Sequence, residues 1–308
     1  MKKRKKSTAP KLPFSVEKGA SPNVVVVRHG QIKSGWEQWY LLRSDGHTDN
    51  PDSNISLQLD HLEEAKARNA GILDFGDLFC AMQGKFDKRS DKSKVRPEHQ
   101  YGDYLDSLVQ WMADLYEPYA QNWIMQGTGN HEASILHRHE TSLIDRFCQT
   151  MRNRTGAAVL TTGYTGWVAF KFRIFRTQNQ SIRLWHTHGY GGGGPVTKDM
   201  IQRSRQLAYI DNADIICSGH THDQWVTKDV RIRLNTADFV EQRPCVVVKC
   251  PTYKDEYKSG VGGWHIATGK PPKPLGAYWL RFYLSHEKKE HAKSSNAVIK
   301  FEVREAES

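Results

Sequence analysis

No apolar run in this chain reaches the ~18 residues that a membrane-spanning helix requires, so no membrane partner is expected. The N-terminus is charged but lacks the apolar segment and small-residue cleavage site of a secretory leader. A cytoplasmic location is the expectation. Cysteine is sparse: Cys80, Cys148, Cys217, Cys245 and Cys250 contain no Cys-x-x-Cys pair. An odd number without such spacing fits reduced, buried thiols and not a disulfide framework or a thiolate zinc site. Internal repeats are also absent.

What is present describes a globular protein. The 308 residues suffice for one large domain, and the composition is ordinary at 38% hydrophobic and 25% charged. Net charge is +10, and half of it comes from the run Lys2-Lys3-Arg4-Lys5-Lys6. Such a run is either a polyanion contact or a solvated, disordered end. With Pro10, Pro13 and Gly19 nearby, residues 1–20 read as a loose basic tail and 21–308 as a single domain.

Hydrophobic periodicity then alternates. Strands are expected at Val24–Val27, Trp39–Leu42, Ile72–Phe75, Asn122–Gln126, Trp167–Phe175, Ile182–Trp185 and Asp214–Cys217. Helices are expected from Leu57 to Ala70, from Tyr104 to Tyr116, and from Glu132 to about Arg152. In the last, Ile135, Leu136, Leu143, Phe147 and Met151 form the inner face. Met200, Ile201, Ser204, Leu207 and Ala208 set a further helical face. Residues 84–100 read as a polar loop. The C-terminal third is strand-rich (Gln224–Leu234, Cys245–Cys250, Ala277–Leu284, Ala297–Val303), with 285–296 as a charged hairpin tip. Alternating strands and helices followed by consecutive strands indicate an α/β layered fold.

Five short motifs sit where apolar runs end: Asp45-Gly46-His47, Gly76-Asp77, Gly129-Asn130-His131-Glu132, His188-Gly189 and Gly219-His220-Thr221-His222. Together they mix carboxylate, amide and imidazole ligands, a set suited to Mn, Fe, Zn or Mg. The i,i+2 spacing of Asp45/His47 and of His220/His222 places each pair on one side of an extended segment. This ordered series resembles the calcineurin-like metallophosphoesterase superfamily, whose pattern is DxH, GD, GNH(D/E), HG, GHxH.

The resemblance implies a four-layer αββα sandwich of two mixed β-sheets flanked by helices. It also implies two divalent metal ions, with Mn²⁺ the first choice. Asp77 would bridge them. Asp45, His47 and His222 would complete one site, and Asn130, His188 and His220 the other. His131 would be catalytic and not a ligand, protonating the leaving group or stabilising the transition state. The implied reaction is phosphoester hydrolysis by metal-bound hydroxide without a covalent enzyme intermediate. Phosphodiesters of nucleic acid or nucleotides are the first choice of substrate. A phosphomonoesterase or phosphoprotein phosphatase of the same fold is the second. A non-catalytic nucleic-acid-binding scaffold is the third.

Several neighbours compete for roles. His186 rivals His188, but only His188 directly precedes a glycine as in the HG element. Asp49 reads as a turn residue. Glu132 either orients an imidazole or is a carboxylate favoured at a helix N-terminus. His137 and His139 are expected to face solvent. Arg28-His29-Gly30 after a valine run resembles the phosphoryl-accepting element of histidine phosphatases, without that family's other residues. The basic loop Lys85, Lys88, Arg89, Lys92, Lys94, Arg96 follows Asp77 and would favour an extended polyanion such as DNA or RNA, with Lys85, Lys88 and Arg89 as substrate contacts. Phe86, Trp185, Tyr190 and Trp225 are aromatic groups able to stack on bases. Gly76-Asp77-Leu78-Phe79 is also similar to the superfamily's nuclease branch, except that Cys80 stands where that branch has Asp.

Overall fold

A computed structural model of the chain describes residues 12–82, 90–100, 102–175, 178–192, 194, 196–236, 238–258, 264–288 and 295–307. In chain order its strands are β1 (Phe14–Lys18), β2 (Val24–Ile32), β3 (Glu37–Arg43), β4 (Gly71–Asp74), β5 (Trp123–Gly127), β6 (Leu160–Gly163), β7 (Thr165–Ile174), β8 (Gln178–Thr187), β9 (Ile215–Ser218), β10 (Trp225–Leu234), β11 (Val240–Lys249), β12 (Tyr278–Lys288) and β13 (Ser295–Glu305). The main helices are α1 (Ile55–Ala67), α2 (Tyr104–Tyr116), α3 (Asn130–His139), α4 (Leu143–Thr155) and α5 (Met200–Tyr209).

The strands form two mixed sheets. One runs β1-β2-β7-β8-β9-β11-β10 and the other β13-β12-β3-β4-β5-β6. Strand period decides the layering. Tyr40 and Leu42 of β3 face the space between the sheets, packing with Phe170, Phe172, Cys217, Val248 and Phe282. Leu41 and Ile72 face the other way, onto Leu62, Leu108, Met112 and Phe147 of α1, α2 and α4. On the far side Trp185, Ile216 and Val247 pack with Leu207 of α5. The result is the αββα sandwich. Arg43 and Asp74, both fully buried, form an ion pair at 2.9 Å at the ends of the paired strands β3 and β4.

Strands β3 to β6 are mutually parallel, as are β8, β9 and β11. Parallel strands share a carboxyl edge, and the loops leaving that edge converge. Each of the five motifs leaves that edge, after β3, β4, β5, β8 or β9, the one after β5 running into the first turn of α3.

Three expectations are corrected. The stretch 132–152 is not one helix: α3 ends at Glu140, which takes a left-handed φ of 53°. Ser142 then caps α4 by accepting the Asp145 N–H at 3.1 Å. Leu136 is consequently 46% exposed, not on an inner face. The tail read over 1–20 includes β1, which pairs antiparallel with β2; its alternation is too short to be told from a loop by pattern. The charged tip 285–296 is shortened from both ends, because β12 and β13 pair out to Lys288 and Ser295. Among the described residues, no helix is long and apolar enough to cross a membrane.

Candidate metal centre

The carboxyl-edge loops bring all seven sequence-assigned ligands together. Among the described residues three triads of ligand atoms lie close enough to hold an ion. Two consist of sequence-assigned ligands, Asp45, His47 and His222, and Asp77, His188 and His220, and the third is His47, Cys80 and His131. The Asp77 carboxylate also faces the first triad. Its Oδ2 is 3.2 Å from His188 Nε2 and 3.8 Å from His47 Nε2. Asp45 Oδ1 is 3.2 Å from His222 Nε2. Asn130 Oδ1 sits 3.1 Å from His188 Nε2 and 2.7 Å from His220 Nδ1.

The local backbone differs from the extended segments expected of i,i+2 pairs. Asp45, His47, Asp77, His220 and His222 all adopt positive φ, between 41° and 75°. Left-handed backbone at a non-glycine residue costs on the order of 1–3 kcal/mol and persists where the surroundings over-determine it. Five such residues in one cluster mark a built site. Tight approach explains the neighbouring glycines. A Cβ on Gly129 would lie 2.0 Å from Asp77 Oδ1, and one on Gly219 would lie 2.3 Å from Asp45 Oδ2.

Outer contacts fix which imidazole nitrogen faces inward. His188 Nδ1 lies 3.1 Å from the Phe75 carbonyl and His220 Nε2 lies 2.9 Å from the Gly191 carbonyl. A carbonyl can only accept, so these nitrogens carry the protons. In the neutral form that a cation ligand must take, His188 Nε2 and His220 Nδ1 would turn lone pairs toward the space around Asn130 Oδ1, whereas a protonated His188 donates from Nε2 to Asp77. Among the described residues, both ring nitrogens of buried His47 and Asp45 Oδ1 have no hydrogen-bond partner. Buried, unpartnered ligand atoms beside a carboxylate are what cation ligands look like, and carbonyl-oriented histidines are the usual outer support. The donor set fits divalent metal.

The site's charges support one another. Burial alone would raise the Asp77 carboxyl, but the His188 and His131 charges hold it well below its usual value. For His188, burial opposes charge, yet the Asp77 and Asp45 carboxylates raise it to about 9. Burial lowers His47 and His220. Cys80 lies within reach of His47 and His131. Burial pushes its thiol up to about 12.

The remaining candidates separate clearly. His131 donates its Nδ1–H to the Cys80 carbonyl at 2.6 Å, and its Nε2 lies 3.9 Å from Asp77 Oδ2. His186 is buried outside the cluster against Thr162 Oγ1 at 2.8 Å, and burial drops it to about 3. His29 is core: it stacks on Phe172 at 4.9 Å and bonds to the Tyr40 hydroxyl. His137 is exposed, while His139 is half-buried. Lys85, Lys88, Arg89 and Phe86 lie outside the described residues. Of the later loop cations, Lys94 pairs with Asp52 at 2.6 Å and Arg96 donates to the Asn50 carbonyl at 2.9 Å.

Two acidic residues have structural roles here. Glu132 Oε2 accepts the N–H groups of Gly129 and Asp77, and its Oε1 accepts that of Phe79. It thus fastens the Asp77 loop to the start of α3, where a carboxylate also suits the helix dipole. Asp49 accepts from Cys80 and Ala81 and is not among the ligands. The sequence reading passed over Lys254, which follows β11 at the same carboxyl edge. It pairs with Glu256, and its charge acts on His47 and Cys80. The strand-end rule that found the other residues could have found it.

No family model matches the chain, and no curated protein matches it. Among solved structures, Vps29 of Chaetomium thermophilum is similar at 9% identity, covering 87% of this chain and 98% of that one with a TM-score of 0.31. At that score the likeness assigns no function.

Proposed function

We propose that this chain is a dinuclear metal-dependent phosphoester hydrolase of the calcineurin-like metallophosphoesterase type, acting on phosphodiesters of nucleic acid or nucleotides. The observation that carries the reading is the pair of ligand triads, one containing Asp77 and the other bringing His47 to 3.8 Å from it, with imidazole nitrogens turned inward by backbone carbonyls.

Asp45, His47 and His222 would hold one cation, and Asn130, His188 and His220 the other, with Asp77 shared. When bound, two such ions supply a nucleophilic water at neutral pH and neutralise charge developing on the phosphoryl oxygens. The chain's own contribution is orientation and proton transfer. His131 is fixed through Nδ1 on the Cys80 carbonyl. Its Nε2 side is turned toward Asp77, where it can hand a proton to the leaving alkoxide or stabilise the phosphoryl charge. Buried Glu132 keeps the Asp77 loop registered on α3. Lys254, held in its ion pair with Glu256, acts electrostatically on His47. Mn²⁺ suits the mixed carboxylate and imidazole set, with Fe, Zn and Mg as alternatives.

The test is hydrolysis with Mn²⁺ of bis-p-nitrophenyl phosphate, p-nitrophenyl phosphate, and single- and double-stranded DNA, with Asp77→Asn as the blank. Cleavage of the diester and DNA, lost together with metal in the variant, supports the reading. Activity on the monoester alone moves the protein to the phosphatases. Metal content near zero in protein purified without chelator removes the hydrolase reading and restores a binding scaffold.

A further inference from the structure

Leaving the metal centre on the side of His188, the surface becomes aromatic. The Tyr164 ring stands edge-on to the His188 ring at 5.6 Å, and Tyr190 stacks on Tyr164 at 6.3 Å with the planes 14° apart. Tyr164 is held by donating its hydroxyl to the Gly189 carbonyl, and Tyr190 by a 3.0 Å hydroxyl contact with Tyr209. Both rings are therefore pinned at their polar ends. Tyr164 is half-buried, whereas Tyr190 keeps 39% of its surface exposed. It sits two residues beyond His188, on the same carboxyl-edge loop.

An aromatic ring retained only for packing has no need to be pinned and exposed. A pinned, exposed ring beside a phosphoester site is a stacking surface, since π faces attract planar groups and pinning removes the ordering cost. The two ring-to-ring steps from His188 also set the reach. A phenyl group bonded directly to a phosphate oxygen would stay near the metal centre. A planar group one sugar away from its phosphate reaches Tyr190.

We propose that Tyr190, backed by Tyr164, is the nucleobase platform of this protein, so that its ligand is a nucleoside phosphate bound with phosphate at the metal centre and base on Tyr190. This rests on the hydrolase reading for the position of the phosphate, and names the class of substrate that site takes.

The test compares two ligands in equilibrium binding with Mn²⁺ present: adenosine 5′-monophosphate and ribose 5-phosphate, which lacks the base. Stacking on an aromatic side chain corresponds to about five- to a hundred-fold in affinity, so wild type should prefer the nucleotide by that ratio. Tyr190→Ala should bring the ratio toward one. Tyr190→Phe, which keeps the ring and loses the bond to Tyr209, should lower the ratio only part of the way and stay well above Tyr190→Ala. A wild-type ratio near one overturns the platform, as does a preference that survives in Tyr190→Ala. A ratio lost equally in Tyr190→Phe assigns the effect to the hydroxyl and overturns stacking. Absence of hydrolysis across the ester panel is a separate result. It removes the hydrolase reading, while a Tyr190-dependent base preference still establishes the nucleotide site.

Discussion

Asp49 is clamped to Cys80: its Oδ1 accepts the Cys80 N–H at 2.6 Å, while Oδ2 takes the adjoining Ala81 N–H at 2.9 Å. The Cys80 carbonyl, on the other side of the same peptide segment, accepts the His131 Nδ1–H at 2.6 Å. A buried carboxylate that touches neither triad of sequence-assigned ligands thus helps to orient the residue proposed to move the proton.

Asp49→Asn should therefore impair turnover without emptying the metal centre. The amide presents an N–H₂ to one of the two N–H donors, leaving it unsatisfied at a cost of about 1–3 kcal/mol. The loop through Cys80 loosens and His131 loses its fixed tautomer. Metal content by elemental analysis should match wild type while kcat falls. Loss of metal in this variant would mean that the loop supports the ligands and not His131.

His131→Gln removes the proposed proton donor itself. With the triads intact, metal should remain and kcat should drop roughly 10²–10⁴-fold, the range for general acid–base groups. Adding Asp49→Asn should then cost little more, because both changes act through one imidazole. Full additivity in the double variant would separate the two residues, and unchanged turnover in the single variant would remove His131 from the mechanism.

The motif series made the site legible because each ligand sits at a strand end, where short-range pattern and chemistry coincide. His188 over His186 followed from one adjacent glycine, and the structure places His188 in the cluster and His186 against Thr162. An α/β layered fold was legible from the order of strands and helices, whereas the αββα sandwich came from the resemblance. An unbroken apolar run such as Trp39–Leu42 does not say that Leu41 faces the helices while Tyr40 and Leu42 face the other sheet. What pattern could not carry was backbone handedness. Asp45 and His220 have positive φ because the surrounding loops impose it, and nothing in Asp-x-His or His-x-His announces that. The break at Glu140 was hidden for the same reason, since helical periodicity continues across it. Long-range partners such as Asp49 with Cys80 depend on loops meeting, which no local window contains.

Acid should destabilise the fold through buried neutral histidines. Burial lowers both His29 and His186 from 6.5 to about 3. Their unfolded forms therefore bind protons at higher pH than their folded forms. The stabilisation is complete above pH ~6.5 and is lost as pH falls from there toward about 3. Each contributes a slope of up to about 1.4 kcal/mol per pH unit in that window. His29 packs among Phe14, Trp36, Tyr40 and Phe172, so it can be replaced without touching a ligand. Urea unfolding from pH 4 to 7 should show a shallower dependence in His29→Gln by about one proton. An identical slope would place the acid sensitivity elsewhere.

Gly219 offers the sharpest steric test of the centre. A Cβ there would lie 1.9 Å from Ser44 Oγ and 2.3 Å from Asp45 Oδ2, the oxygen that accepts the His220 N–H at 2.9 Å. Neither neighbour can retreat, because Ser44 and Asp45 are fully buried. Gly219→Ala must therefore push the Asp45 loop away from the His220 loop, the two segments that bring Asp45 and His222 together. Metal affinity by calorimetry should fall at least tenfold, which corresponds to about 1.4 kcal/mol, and hydrolysis should fall with it. Gly30→Ala is the control, since nothing lies within 4 Å of a Cβ at that position. If Gly219→Ala binds metal as Gly30→Ala does, the close approach of the two loops is not what builds the site.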